Sequence, residues 1–200
     1  MITRIKRSTV SMHQRVFLHK FHNYIWKVKF PMSRFGAYWG LAGVMLLLGS
    51  AVYRLMPIAV EALSFRWFWY HMIAFILILI FMAYAEGYRA FQLAFSPRVA
   101  ARARYLLTHS NSLHIVLAPL FCMAYFHAPR RRRITSLSVT AGIIVLVVLV
   151  RLLPQPWRGI FDGGVLLGLA WGLVSLAIFG YKALTCEEFA YAPEVPEETL

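Results

Sequence analysis

Charged residues are scarce in this chain of 200 residues: they make up 14% of it, whereas 60% of the residues are hydrophobic. Because the hydrophobic residues come in long blocks, this composition excludes an ordinary soluble domain. The two cysteines, Cys122 and Cys186, lack the paired spacing of a disulfide framework or a zinc site. The sequence also lacks a glycine-rich phosphate-binding motif and a compact metal motif such as HExxH. We therefore expect an all-α integral membrane protein with a non-enzymatic role and no cofactor.

The basic residues give a net charge of +13 and lie mainly beside the hydrophobic blocks. Such placement favours membrane topology and contact with anionic lipid over nucleic-acid binding. Residues 1–34 form a basic segment in which hydrophobic residues recur at helical spacing from Ser8 to Phe30, which predicts an amphipathic helix lying on a membrane face. No acidic residue precedes Glu61, a feature shared by mitochondrial transit peptides. We expect the bacterial inner membrane, with the mitochondrial inner membrane as the alternative.

Four hydrophobic runs are long enough to cross a hydrocarbon layer of about 30 Å. They are residues 36–55, 67–88, 136–153 and 163–181. The first two runs predict a transmembrane hairpin within residues 35–95, and the last two predict a second hairpin within residues 135–184. Placing most of the basic residues on the inner side puts both termini in the cytoplasm.

The two predicted hairpins end alike. RLMP at 54–57 matches RLLP at 151–154, and GYRAF at 87–91 matches GYKAL at 180–184. Matched endings in the same order indicate two related hairpins of equal orientation, as in transporters built from parallel repeats. Equal orientation requires an even number of crossings between equivalent spans, which four spans satisfy and five spans do not.

Residues 96–134 separate the two hairpins. They begin with a predicted basic surface helix and continue into the sixteen-residue stretch Leu113–Ala128, which contains Pro119. A span here would give five transmembrane helices and would translocate Arg130–Arg133 against the positive-inside tendency. We favour a re-entrant or interfacial segment and keep the five-span alternative open. Residues 185–200 are predicted to be an acidic flexible tail.

Small residues recur on three predicted helix faces, where they would let another helix approach closely. These candidate helix-packing residues are Gly36, Gly40 and Gly43; Ala83, Gly87 and Ala90; and Gly164, Gly168 and Gly172. Glu86 adjoins the second face, so we expect its carboxylate to point toward another helix. Arg89 follows three residues later, which suits either an interfacial ion pair or a proton- or cation-coupled site. The position of Glu86 near the inner end of the second run favours the ion pair.

Four histidines are the candidate ligands or proton-relay groups: His71, His109, His114 and His127. His71 lies fifteen residues before Glu86, about 22 Å along a helix, so the two cannot share one ligand. A re-entrant segment at 113–128 would bring the other three histidines near Glu86 as a metal or proton-relay cluster. A spanning segment would instead bring His127 toward His71, where the pair would suit a haem.

The sequence favours one functional class and leaves two alternatives. We expect a small multi-pass inner-membrane protein that serves as a non-enzymatic accessory, assembly or scaffolding component. Its expected partners are the lipid bilayer, with anionic lipid at the basic inner face, and other membrane-protein subunits or further copies of the same chain. The first alternative is a small proton- or ion-coupled transporter that uses Glu86. The second is a metal- or haem-binding membrane protein.

Overall fold

The computed structural model describes residues 12–109, 112–186 and 188–195. In these ranges every regular element is helical, and four helices are long and apolar enough to cross a membrane. The prediction of an all-α fold with four helices of membrane-spanning length is therefore confirmed. The elements are α1 (Met12–Ala62), α2 (Trp69–Met82), a π-helix (Ala83–Phe95), α3 (Ser96–Thr108), α4 (Ser112–Val116), α5 (Ala118–Cys122), α6 (Arg130–Arg151) and α7 (Trp157–Thr185).

The predicted amphipathic amino-terminal helix falls mostly within α1. This helix runs without a break into the first candidate span, Arg34–Ala62. Residues 1–11 and the side chains of residues 12–33 lie outside the part of the chain that the structure describes, so the amphipathic face stays a prediction. The other candidate spans are Trp69–Thr108, Arg130–Arg151 and Trp157–Thr185.

The long helices run between two ends of the molecule. At one, here named the His71 end, the ring of His71 in α2 lies 5.0 Å from that of Trp157, where α7 begins. At the other, named the Arg102 end, Arg104 of α3 donates a hydrogen bond of 2.6 Å to the carbonyl oxygen of Cys186, just after α7. This bond partners one of the carbonyl groups that the end of a helix leaves free. α1 and α6 therefore lead toward the His71 end, and α2 and α7 lead back.

Buried side chains concentrate at the Arg102 end. α3 packs against α1, α5 and α7, and these helices share one core. The core residues are Ala37, Leu41, Val44, Val99, Ala103, Leu106, Ala118, Phe121, Cys122 and Leu176. Small alanine side chains on α3 let its neighbours approach closely. We expected this helix at the membrane surface; that location stays a prediction, whereas its burial within the protein had no signal in the sequence.

Residues 113–128 do not form a helix of spanning length. The chain makes the short helices α4 and α5, followed by turns. They pack along the glycine face of α1: a Cβ atom at Gly40 would lie 2.8 Å from Cys122 Sγ, and one at Gly36 would lie 3.1 Å from Ile115 Cγ1. The glycines therefore make room for a broken segment that starts after α3 and joins α6. Its re-entrant or interfacial position in a bilayer stays a prediction.

α6 is the most exposed of the long helices in the described part of the chain. It contacts α7 and the loop that joins α5 to α6. The Ser136 hydroxyl donates a hydrogen bond to the carbonyl oxygen of Met123 in that loop. Every residue from 141 to 149 is exposed, and a Cβ atom at Gly142 would meet nothing within 4 Å. In a membrane, this helix offers apolar surface to lipid or to another protein.

Candidate functional site

The carboxylate of Glu86 packs between two helices. Glu86 lies on the π-helix and faces α7 at Gly168, where a Cβ atom would lie 2.6 Å from Glu86 Oε2 and 2.9 Å from Glu86 Cδ. Only a glycine leaves space for the carboxylate at this point of α7. Glu86 Oε2 is buried and has no hydrogen-bond partner among the described residues. An unpartnered carboxylate oxygen inside a bundle is costly, so its presence marks a candidate site.

The structure places this carboxylate close to the middle of the bundle. Gly168 lies eleven residues after Trp157, the first residue of the 29-residue helix α7, which corresponds to about 16 Å along the axis. Gly168 therefore lies near the middle of α7. Helical side chains point back toward the start of their helix, so the Glu86 carboxylate reaches toward the His71 end. The position of Glu86 near the inner membrane boundary stays a prediction; in the structure its helix continues past the second hydrophobic run to Thr108.

The π-helix sets which side chains face α7. The Ser96 amide at its end donates to the carbonyl oxygen of Phe91, five residues earlier, and this spacing defines a π-helix. Residues five apart therefore share a face. Glu86 packs on Gly168, and Phe91 packs on Gly172, where a Cβ atom would lie 2.6 Å from Phe91 Cδ1.

A second pair five residues apart flanks the carboxylate. A Cβ atom at Gly87 would lie 3.0 Å from Trp171 Cγ, and Trp171 Nε1 donates a hydrogen bond of 2.8 Å to Gln92 Oε1. Trp171 thus covers the π-helix beside Glu86 and anchors itself to a polar group on the next turn. The third glycine of the α7 face, Gly164, packs against Ile78 of α2. Of the two alanines predicted as packing residues, Ala83 is partly buried and Ala90 is exposed.

Glu86 and Arg89 do not form an ion pair. Arg89 is exposed, and the ion pairs between described residues are Arg158 with Asp162 and Arg132 with Glu194. The wider turn of a π-helix moves the residue three positions on away from the Glu86 face. The carboxylate therefore lacks the partner that an interfacial structural pair would have supplied.

His71 is buried in the first turn of α2, where neighbouring residues hold its ring in place. Its side chain is 4% exposed, and its Nδ1 atom accepts a hydrogen bond of 3.2 Å from the Phe68 backbone amide. That bond partners one of the amides left free where α2 begins. The ring also packs on Trp157 at 5.0 Å, so its position is explained without a ligand.

The other three histidines lie at the Arg102 end. The rings of His114 and His127 are 4.9 Å apart, whereas His109 stacks on Tyr105 at 4.5 Å. Burial lowers the pKa of His114, and its electrostatic interaction with His127 lowers it further. In the described part of the chain, no three His, Cys, Asp or Glu side chains converge in a way that would hold a metal ion. The structure thus pairs two histidines and brings neither of them to Glu86.

Arg102 is an organising residue that sequence reasoning missed. Its side chain is 2% exposed, its guanidinium lies 4.2 Å above the Phe121 ring, and its N–H groups donate to backbone carbonyl oxygens. The acceptors are Phe121, Phe126, His127, Pro193 and Glu194. An arginine within an alanine-rich helical run would have been the only signal, because nothing in the sequence indicates its carbonyl partners.

The Glu86 site and the Arg102 cluster differ in chemistry. An isolated carboxylate inside a membrane helix bundle can bind and release a proton or bind a small cation, whereas an arginine whose N–H groups are all bonded holds backbone segments together. Neither arrangement supplies a nucleophile with an adjacent base. Comparisons of the chain with protein-family models, with curated proteins and with solved structures give no match.

Proposed function

We propose that the protein is a small proton- or ion-coupled membrane transporter in which Glu86 binds a proton or a small cation. The observation that supports this function is the Glu86 carboxylate packed on Gly168 near the middle of α7, with Oε2 unpartnered among the described residues. Ionisable groups are rare inside membranes and tend to be retained along ion or proton pathways. A purely structural role would be better served by an ion pair with Arg89, which does not form.

The proposed mechanism couples the state of the carboxylate to helix packing. A charge at this depth costs about 2.5–3.5 kcal/mol on insertion scales, and binding of a proton or cation removes that cost. Release would require water or a counter-charge to reach Glu86. Since Gly168 leaves space only for the present arrangement, we expect release to accompany movement of α7 relative to the π-helix.

Infrared spectroscopy of the whole protein in lipid vesicles tests the proposal. We expect a pH-dependent carboxyl band that shifts in D2O and is absent from Glu86→Gln. Glu61→Gln is the matched control, because Glu61 is exposed near the end of α1 and its loss should leave the band intact. A band that persists in Glu86→Gln would reject Glu86 as the binding group.

The proposal includes a topology and a location. Four spans with both termini in the cytoplasm keep Arg130–Arg133 on the inner side of a bacterial inner membrane, and the matched endings of the hairpins favour two related units of parallel orientation. The return of residues 113–128 to the end where they started supports an even number of crossings. Accessibility labelling of a cysteine at position 131 tests this topology: labelling only from outside would reject it.

A second candidate function is an accessory or assembly component that docks another membrane-protein subunit on α6. The exposure of every residue from 141 to 149 favours it. A photo-crosslinking amino acid at Leu146 should give a discrete protein adduct, whereas one at Ile76, on exposed α2, should give lipid adducts. Lipid adducts alone at both positions would reject docking through α6.

A further inference from the structure

Three arginines lie near the Glu194 carboxylate at the Arg102 end. Arg132, the third residue of α6, forms an ion pair with Glu194, and its Nη2 atom donates to Glu194 Oε1 at 2.6 Å. Arg98 lies within electrostatic range of both Arg132 and Glu194, and Arg102 lies within range of Glu194. Three positive charges of the described residues therefore lie within electrostatic range of one negative charge, and Arg132 contacts it directly.

The bonds of Arg102 depend on the same carboxyl-terminal segment. Two of its five N–H groups donate to the carbonyl oxygens of Pro193 and Glu194, at 3.1 and 3.2 Å. The other three donate to carbonyl groups of α5 and of the loop before α6. If residues 193–194 moved away, the two N–H groups of Arg102 Nη1 would lose their acceptors. A buried guanidinium is stable only when its donors are bonded, so these two groups would then be available to bind an anion.

The position of the cluster suits a lipid headgroup. Arg132 precedes the apolar run of α6, so in a bilayer it lies at the boundary where phosphate groups are found. The Arg132 and Glu194 side chains keep 40% and 34% of their surface exposed, so a neighbouring lipid can reach them. Guanidinium groups bind phosphate oxygens through two parallel hydrogen bonds, as they bind a carboxylate.

We propose that Arg98, Arg102 and Arg132 form a binding site for the phosphate of an anionic phospholipid, and that Glu194 occupies this site as a competing internal anion. A bound phosphate replaces the Glu194 carboxylate on Arg132 and the two tail carbonyl groups on Arg102. The tail segment 188–195 then keeps only its apolar contacts, among them Val195 on the core and Tyr191 on Phe179, and is held more weakly. The site is separate from Glu86 and rests only on the proposed placement of the chain in a bilayer.

Hydrogen exchange of residues 188–195 in the whole protein tests this site. The protein is placed in nanodiscs of phosphatidylcholine alone or of phosphatidylcholine with phosphatidylglycerol. We expect the anionic lipid to raise tail exchange about two- to five-fold, the range for loss of one partly exposed ion pair. Glu194→Gln should raise exchange by a similar factor in phosphatidylcholine alone, whereas Glu188→Gln, a change at an exposed tail position, should not.

Arginine variants assign the effect to the site. In Arg132→Gln, tail exchange should already be raised, and phosphatidylglycerol should add little; in Arg133→Gln, an exposed neighbour, the lipid effect should persist. Unchanged exchange of the wild-type tail with phosphatidylglycerol, or an equal lipid response in Arg132→Gln, would overturn the proposal. Release by inorganic phosphate in phosphatidylcholine discs would overturn its assignment to lipid. A chain that fails to insert into discs would instead contradict the bilayer placement.

Discussion

Replacing Gly168 by alanine is the sharpest test of the Glu86 site. The added methyl group would lie 2.6 Å from Glu86 Oε2, 2.9 Å from Cδ and 3.0 Å from Cγ, whereas ordinary contact begins at 3.4 Å. The carboxylate must therefore shift by roughly 0.8 Å or turn out of the interface. Overpacking of this kind costs about 1–3 kcal/mol. We expect the free energy of unfolding to fall by that amount and the carboxyl band of Glu86 to shift.

Alanine substitutions at two further glycines are controls that distinguish a general packing effect from an effect on the Glu86 carboxylate. Gly142→Ala meets nothing within 4 Å, so it should carry only the helix preference of alanine over glycine, a gain of about 0.5–1 kcal/mol. Gly164→Ala would bring its methyl group 2.7 Å from Ile78 Cγ2, which should lower stability without moving the carboxyl band. The comparison distinguishes a change at Glu86 from a general loosening of α7.

A double-mutant cycle measures the contact directly. In a Glu86→Ala background the atoms nearest to the new methyl group are gone, so Gly168→Ala should cost less than about 0.5 kcal/mol. Steric trapping or SDS titration of the detergent-solubilised protein gives the four unfolding free energies. The described packing would be refuted by a Gly168→Ala cost no greater than that of Gly142→Ala, or by an equal cost in both backgrounds.

Three further outcomes follow from other parts of the structure. Trp171→Phe removes the hydrogen bond to Gln92 and should cost about 0.6–1.7 kcal/mol of unfolding free energy; no loss in an SDS titration would contradict that bond. Burial raises the pKa of Cys122 to about 12, whereas Cys186 is exposed, so iodoacetamide near pH 8 should label one thiol of the folded chain, and mass spectrometry should find it on Cys186. Because the pKa of His114 is lowered from its ordinary 6.5 in the folded state, the unfolded chain binds its proton more readily, and acidification below pH 6.5 should reduce stability. His114→Gln should weaken that pH dependence in thermal unfolding, and an unchanged profile would exclude the contribution.

The sequence predicts the candidate spans well because the hydrophobicity of a span depends only on the residues of that one segment. The absence of acidic residues before Glu61 and the long apolar runs are properties of single segments, and four candidate spans are what the structure contains. The spacing of Gly164, Gly168 and Gly172 likewise indicates a packing face. It does not name what fills that face, since a glycine is compatible with an aliphatic, aromatic or acidic neighbour. Only tertiary structure assigns Glu86 to Gly168.

The tail contacts are harder still to predict. Arg102 binds backbone carbonyl groups of Pro193 and Glu194, and every residue carries such an acceptor. No side-chain pattern in the acidic segment distinguishes these two positions from their neighbours. The ion pair between Arg132 and Glu194 is equally hidden among several candidate arginines and glutamates, because opposite charges far apart in the sequence have no spacing rule.

The direction of Glu86 toward another helix follows the sequence prediction, whereas the π-helix explains why Phe91 faces the same helix. In an α-helix, residues five apart differ by about 140° around the axis, so Glu86 and Phe91 would not both face α7. Pro97 offers a physical reason for where the wider turns end, because proline has no amide hydrogen to continue the bonding pattern after the Ser96 amide has reached back to Phe91. We interpreted Ser96 and Pro97 as the start of a separate helix. In the structure they instead mark the change from the π-helix to α3 within one continuous helical segment, and the π-helix before them is what lets Glu86 and Phe91 both face α7.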